Sequence, residues 1–186
     1  MTRSIDFRGA VTTIMCVAIL AAALPSPAED GSPSPEKPNP ALLDPSLATE
    51  KAPDIYRVKM ETTAGDFVIE VHRGWAPHGA DRFYNLVKIG YFTDVAFYRV
   101  LKGFMAQAGM HGNPAVTAAW YGSRIPPDEV KTSNKKGTVS FAMGGGTDTR
   151  TSQFFINYTN NSYLDDSGFA PFGEVVEGFD IVKSLY

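Results

Sequence analysis

The chain is poor in the residues that most enzymes use for chemistry. Its single cysteine is Cys16, and its histidines are His72, His78 and His111. The histidines lack metal-ligand spacing and have no partnered serine, so they read as surface residues. A thiolate nucleophile, a Cys-ligated metal and a disulfide framework are all excluded once Cys16 is set aside. There is no surplus of positive charge either. The formal net charge is -3 and the pI about 5.6, which argues against nucleic acid as a partner. No internal repeat is visible, and no uncharged run is long enough to cross a bilayer comfortably.

The longest apolar run, "AVTTIMCVAILAAAL", spans 10–24 and contains Cys16. Arg3 and Arg8 precede it and small residues at Ser26 and Ala28 follow, the pattern of a secretory signal over 1–28. Cleavage is expected after Ala28, with Ala23 as second choice. The alternative is an uncleaved anchor. The mature chain is then expected outside the cytoplasm, periplasmic or extracellular, without a stable membrane span. Residues 29–53 are proline-rich and sparse in apolar side chains, so they read as an extended, disordered linker. Such a segment either holds a domain away from an envelope or has no role.

The folded domain is expected over 54–186. Tyr56 to Glu61 alternates in strand fashion, "TTAG" is a turn, and Phe67, Ile69 and Val71 share one face of a second strand. Ala76 to Gly90 reads as a helix, with Pro77 in its first turn and glycine at its end. Five short strands follow: "VAFYRVL", "FMAQAG", "GTVSFAM", "QFFIN" and "PFGEVV". "EGFDIVKSLY" reads as a second helix. Seven strands and two helices predict a mainly β fold, a closed or nearly closed barrel capped by helices. The stretch 110–136 reads as a long irregular loop that is either functional or packs over the barrel through Trp120. Gly144, Gly145 and Gly146 precede no Lys-Ser or Lys-Thr pair and open no helix. A flexible rim or a plain turn fits them better than a phosphate loop.

Three ordered motifs carry a resemblance. "FYRVLKGFMAQAG" at 97–109, then "TSQFFIN", then "YLDDSGFAPFGEVVEG" resemble the cyclophilin family of peptidyl-prolyl cis-trans isomerases, over roughly Tyr56 to Tyr186. "HGNPAV" and "VKTSNKKGTVSFA" look like its bacterial branch. The resemblance implies a cyclophilin-like closed eight-stranded antiparallel β-barrel capped by two helices. Only seven strands are read, so the last one is expected to be missing and the strand at Tyr56 to Glu61 to show a bare edge. It also implies proline-containing polypeptides as substrates, a monomer, no cofactor and no metal.

Site residues carry over singly. Arg99 matches the catalytic donor, and Gln107 the glutamine that contacts it and the substrate carbonyl. Phe104, Met105, Phe155 and Leu164 match the apolar box for the proline ring, and they would serve equally as ordinary core. Gln153 matches a second site glutamine. Ala142 and Met143 lie where the family's backbone pairs with the residue before proline. Three positions depart from the commoner pattern. Met143 stands in place of asparagine or arginine, Tyr163 in place of tryptophan, and Phe169 in place of histidine. The Tyr163 departure implies weak cyclosporin binding. A non-catalytic proline-peptide binding module is the rival reading.

Overall fold

The structure, a computed structural model, describes residues 3–5 and 38–185. The leader expected over 1–28 lies outside the described residues except at 3–5, and the linker is described from 38 onward. Among the described residues one sheet runs in the order β1-β2-β3-β8-β6-β7-β5-β4. Its strands are β1 (Arg3–Ile5), β2 (Ile55–Thr62), β3 (Gly65–His72), β4 (Arg99–Leu101), β5 (Met105–Ala108), β6 (Thr138–Phe141), β7 (Phe154–Asn157) and β8 (Pro171–Glu177). All pairings are antiparallel except that of β1 with β2. The seven expected strands are β2 to β8.

One expectation about the sheet changes, and closure into a barrel is not shown. Its pairings run from β1 to β4, and no pairing among the described residues joins those ends into a closed barrel. The β2 edge expected to be bare is paired over Tyr56–Val58 by residues 3–5, inside the segment read as a leader. Cleavage after Ala28 would uncover that edge again.

The core follows from alternation. Phe67, Ile69 and Val71 are buried on β3 while the residues between them are not. Helix α1 (Pro77–Lys88) lays Phe83 and Leu86 on the same core. Phe83 packs on Phe154 and Phe172 with ring centroids 5.5 and 5.0 Å apart. Each such fully buried ring contributes up to about 3 kcal/mol of hydrophobic stabilisation.

Three α-helices are described, not the two expected. The second expected helix is α3 (Phe179–Ser184), the terminal helix read from sequence. The extra one, α2 (Pro114–Tyr121), falls within the loop expected to be irregular. Asn113 Oδ1 accepts from the Ala115 N–H at 2.9 Å and caps it, and Pro114 occupies its first turn. Trp120 on α2 is buried, and Arg82 lies 5.0 Å from its ring centroid.

The described part of the expected linker, 38–53, is not a loose tether but a strap over α1 and α2. Short 3-10 turns at Pro40–Leu42 and Pro45–Leu47 shape it. Leu42 O accepts from Trp120 Nε1 at 3.0 Å. Asn85 accepts from the Glu50 N–H and donates to the Glu50 carbonyl. Ala52 N donates to Asp81 at 2.9 Å, and both Ala41 and Ala52 are buried. Its docking runs mostly through backbone groups, which composition does not reveal.

Candidate active site

β4, β5 and β7 lie side by side, and their register sets the site. Arg99 on β4 is opposite Gln107 on β5, and Gln107 is opposite Phe155 on β7. Side chains at paired positions share a face. Met105, Phe155 and Leu164 form a small buried cluster of their own, separate from the main core, with Phe104, Ala142 and Phe169 packed against it. Above this cluster is a cavity of about 200 Å³. Its floor and walls are these six residues, and Met143, Gln107 and Arg99 complete its rim. Phe169 meets Phe155 edge-on at 5.6 Å.

Arg99, the position matched to the catalytic donor, is not enclosed in the pocket but exposed at the cavity mouth. Among the described residues its side chain makes one hydrogen bond, from Nη1 to Gln107 Oε1 at 3.2 Å, and no carboxylate pairs with it. Four of the five guanidinium N–H donors are thus left for a ligand.

A second cavity of about 200 Å³ adjoins the first across Gln107, Ala142 and Met143. Gln153 lines this one and not the first, together with Tyr121, Arg124, Thr149 and Thr151, which the sequence reading did not single out. Gly109 follows β5 with φ +103°, and a Cβ there would lie 2.4 Å from Ser152 O. Only glycine allows that approach, which brings Gln153 beside Gln107. Gly144 to Gly146 form a rim turn here, in which Thr149 Oγ1 accepts from the Gly144 N–H and donates to Gly146 O.

Two of the remaining positions have particular surroundings. The Ala142 N–H is donated to Gln153 O at 2.8 Å, so it is not free to pair with a ligand backbone. Tyr163 lines neither cavity: it is 62% exposed and stacks over Phe104 at 6.4 Å. The segment carrying Tyr163, Leu164 and Phe169 is fastened from behind. Asp165 accepts from Ser133 Oγ, from Asn134 N and from Asn134 Nδ2, and Asn134 Nδ2 also donates to Phe169 O. Burial pushes the Asp165 carboxyl up, but the hydrogen bonds from Ser133 and Asn134 outweigh it and hold it below its ordinary range.

None of the histidines lines either cavity. His72 stacks on Trp75 at 4.2 Å and His111 meets Tyr91 edge-on, so these two are half-buried rather than surface residues. Burial pushes His111 below its ordinary value. Among the described residues no three His, Cys, Asp or Glu side chains converge as metal ligands, and no helix is long and apolar enough to cross a membrane.

The family model described as "Cyclophilin type peptidyl-prolyl cis-trans isomerase/CLD" matches residues 57–186. The chain belongs to that family. Among its relatives, a peptidyl-prolyl cis-trans isomerase of Acinetobacter baylyi is 33% identical over 132 residues, covering 69% of this chain and 70% of the relative. Peptidyl-prolyl cis-trans isomerase A of Dickeya dadantii is 32% identical, with the same coverage of each chain. A crystal structure of a Cryptosporidium parvum cyclophilin type isomerase matches with a TM-score of 0.61 and 27% identity, over 70% of this chain and 83% of that one. In this cyclophilin-type chain the matched region holds every site residue named from sequence, and nine of the eleven surround one cavity.

Proposed function

We propose that this protein is a peptidyl-prolyl cis-trans isomerase that turns Xaa-Pro bonds in polypeptides during folding outside the cytoplasm. The observation that carries the reading is an arginine with unspent donors at the mouth of an apolar cavity. Rotation about the bond before proline breaks amide resonance over a barrier of ~18–20 kcal/mol. No covalent bond forms or breaks, so no nucleophile is required. In the twisted state the prolyl nitrogen regains a lone pair. A fixed donor there stabilises the twisted amide more than the planar one, which is what lowers the barrier. Arg99 supplies the donor, and the cavity over Met105, Phe155 and Leu164 accepts the ring. Gln107 holds the guanidinium. A Cryptosporidium parvum relative was crystallised in the presence of the dipeptide Ala-Pro, which accords with a proline ligand.

The test is the rate of cis-trans exchange in a Xaa-Pro peptide. Catalysis supports the reading; tight binding without turnover favours the non-catalytic module. The rate is expected to be nearly flat from about pH 6 to pH 9, because no histidine, cysteine or carboxylate lines the cavity among the described residues. A bell-shaped profile for a stable protein would reveal an unrecognised acid or base.

The export reading rests on residues 1–28, and cell fractionation with N-terminal sequencing tests it. The protein acts as a monomer with no cofactor. Cyclosporin binds weakly, because Tyr163 lacks the indole N–H of tryptophan-bearing relatives. Tyr163→Trp is expected to strengthen inhibition about tenfold, the worth of one hydrogen bond. Equal inhibition of both forms contradicts this.

A further inference from the structure

Tyr98 precedes Arg99 but does not line the apolar cavity. Its hydroxyl lies between the two site glutamines. Gln107 Nε2 donates to Tyr98 Oη at 2.5 Å, and Tyr98 Oη donates to Gln153 Oε1 at 2.5 Å. Gln107 Nε2 also donates to Gln153 Oε1, at 3.1 Å. At its other end, Gln107 Oε1 accepts from Arg99 Nη1.

The direction of these bonds matters. A phenol has one proton. Here it goes to Gln153 Oε1, so toward Gln107 the Tyr98 oxygen can only accept. That requires the NH2 end of the Gln107 amide to face Tyr98, which leaves the carbonyl end for Arg99. Without the hydroxyl, one of the three contacts that fix this orientation is gone, and only Gln153 Oε1 still receives the NH2 end. A reversed amide would set its NH2 against the guanidinium, donor against donor, and Arg99 would lose its anchor. Burial raises the Tyr98 pKa and the Arg99 charge opposes that rise, so the phenol keeps its proton through the neutral range.

We infer that Tyr98 is a positioning residue, whose hydroxyl fixes the amide orientation of Gln107 and Gln153 and thereby aims Arg99 over the proline cavity. This rests on the isomerase reading of the same cavity. Aromatic packing alone would not require the oxygen.

The experiment uses the full chain and Tyr98→Phe, with thermal melting as the folding control. The expected result is a fall in kcat of about 10-fold with KM within about twofold, the signature of an interaction that matters in the transition state. In an Arg99→Ala background the same change is expected to cost less than about twofold, because Tyr98 acts through Arg99. An unchanged kcat, or a full loss added to that of Arg99→Ala, overturns the inference. A second measurement needs neither turnover nor a variant. Nuclear magnetic resonance of the wild-type side-chain amides should show both Gln107 Nε2 protons hydrogen-bonded and protected. Two freely averaging Gln107 protons overturn the inference, whether or not the protein turns over a proline peptide. Absence of turnover with protected amides instead removes the isomerase reading and leaves the Tyr98 arrangement standing.

Discussion

Arg99→Ala should lower kcat/KM by about 10²- to 10³-fold, which is ~3–4 kcal/mol of transition-state stabilisation. The fold should survive, because Arg99 is exposed and its side chain bonds only to Gln107 among the described residues. Proline-ring binding should also survive, since the cavity floor is Met105, Phe155 and Leu164. The loss therefore belongs in kcat. Line-shape analysis of a Xaa-Pro peptide gives the rate, and circular dichroism checks the fold. A folded variant with near-full rate would remove Arg99 from the mechanism. Arg99→Lys should recover little, because an ammonium lacks the planar fork that can hold Gln107 and address the prolyl nitrogen together.

The second large effect is on stability. Arg150 and Asp128 form an ion pair at 2.9 Å with side chains only 2% and 1% exposed. Asp128 also accepts from the His78 and Gly79 N–H groups at the start of α1, both at 2.9 Å. Ala76, at the N-cap position, has no side chain that can do this. Asp128 is therefore a remote cap for α1 as well as a counter-ion. Arg150 Nη2 donates to Pro126 O, while its Nε has no partner among the described residues. Asp128→Ala strands a buried guanidinium and uncaps a helix, and is expected to cost ~3–5 kcal/mol. Arg150→Met leaves a carboxylate that still receives two backbone N–H groups, and should cost clearly less. Urea midpoints of the two variants decide it. Equal losses would mean that the carboxylate depends on the arginine rather than on the helix.

The sheet was legible because its signal is local. Alternation in 66–72 and the turn at 62–65 require only neighbouring residues, and the β2–β3 register follows from them. The apolar box was legible through its resemblance to a family, not through periodicity, since Met105 and Phe155 read equally well as core. Four features escaped. Helix α2 buries only Val116 and Trp120, too few for an apolar stripe, although Asn113, Pro114 and Gly122 mark its ends. The strap docks through Leu42 O, Glu50 N and O, and Ala52 N, and backbone atoms are the same in every sequence. Tyr98 adjoins Arg99, and strand alternation would send it to the opposite face. It precedes β4, in irregular backbone, and so turns toward Gln107. Asp128 and Arg150 look like solvated charges until the fold brings them together.

The pairing of β3 with β8 bears on how the chain acquires its shape. Val71 lies opposite Gly173, so the middle of the sheet joins an early strand to a late one. Hairpins such as β2–β3 can close while the rest of the chain is still loose. The seam between β3 and β8 cannot form until the intervening hundred or so residues have been drawn in, and that loop entropy is lost before the contact returns anything. A nascent chain emerging in order would hold β3 with one side unsatisfied until β8 arrived. Over that interval its open side is a template for non-native strand pairing.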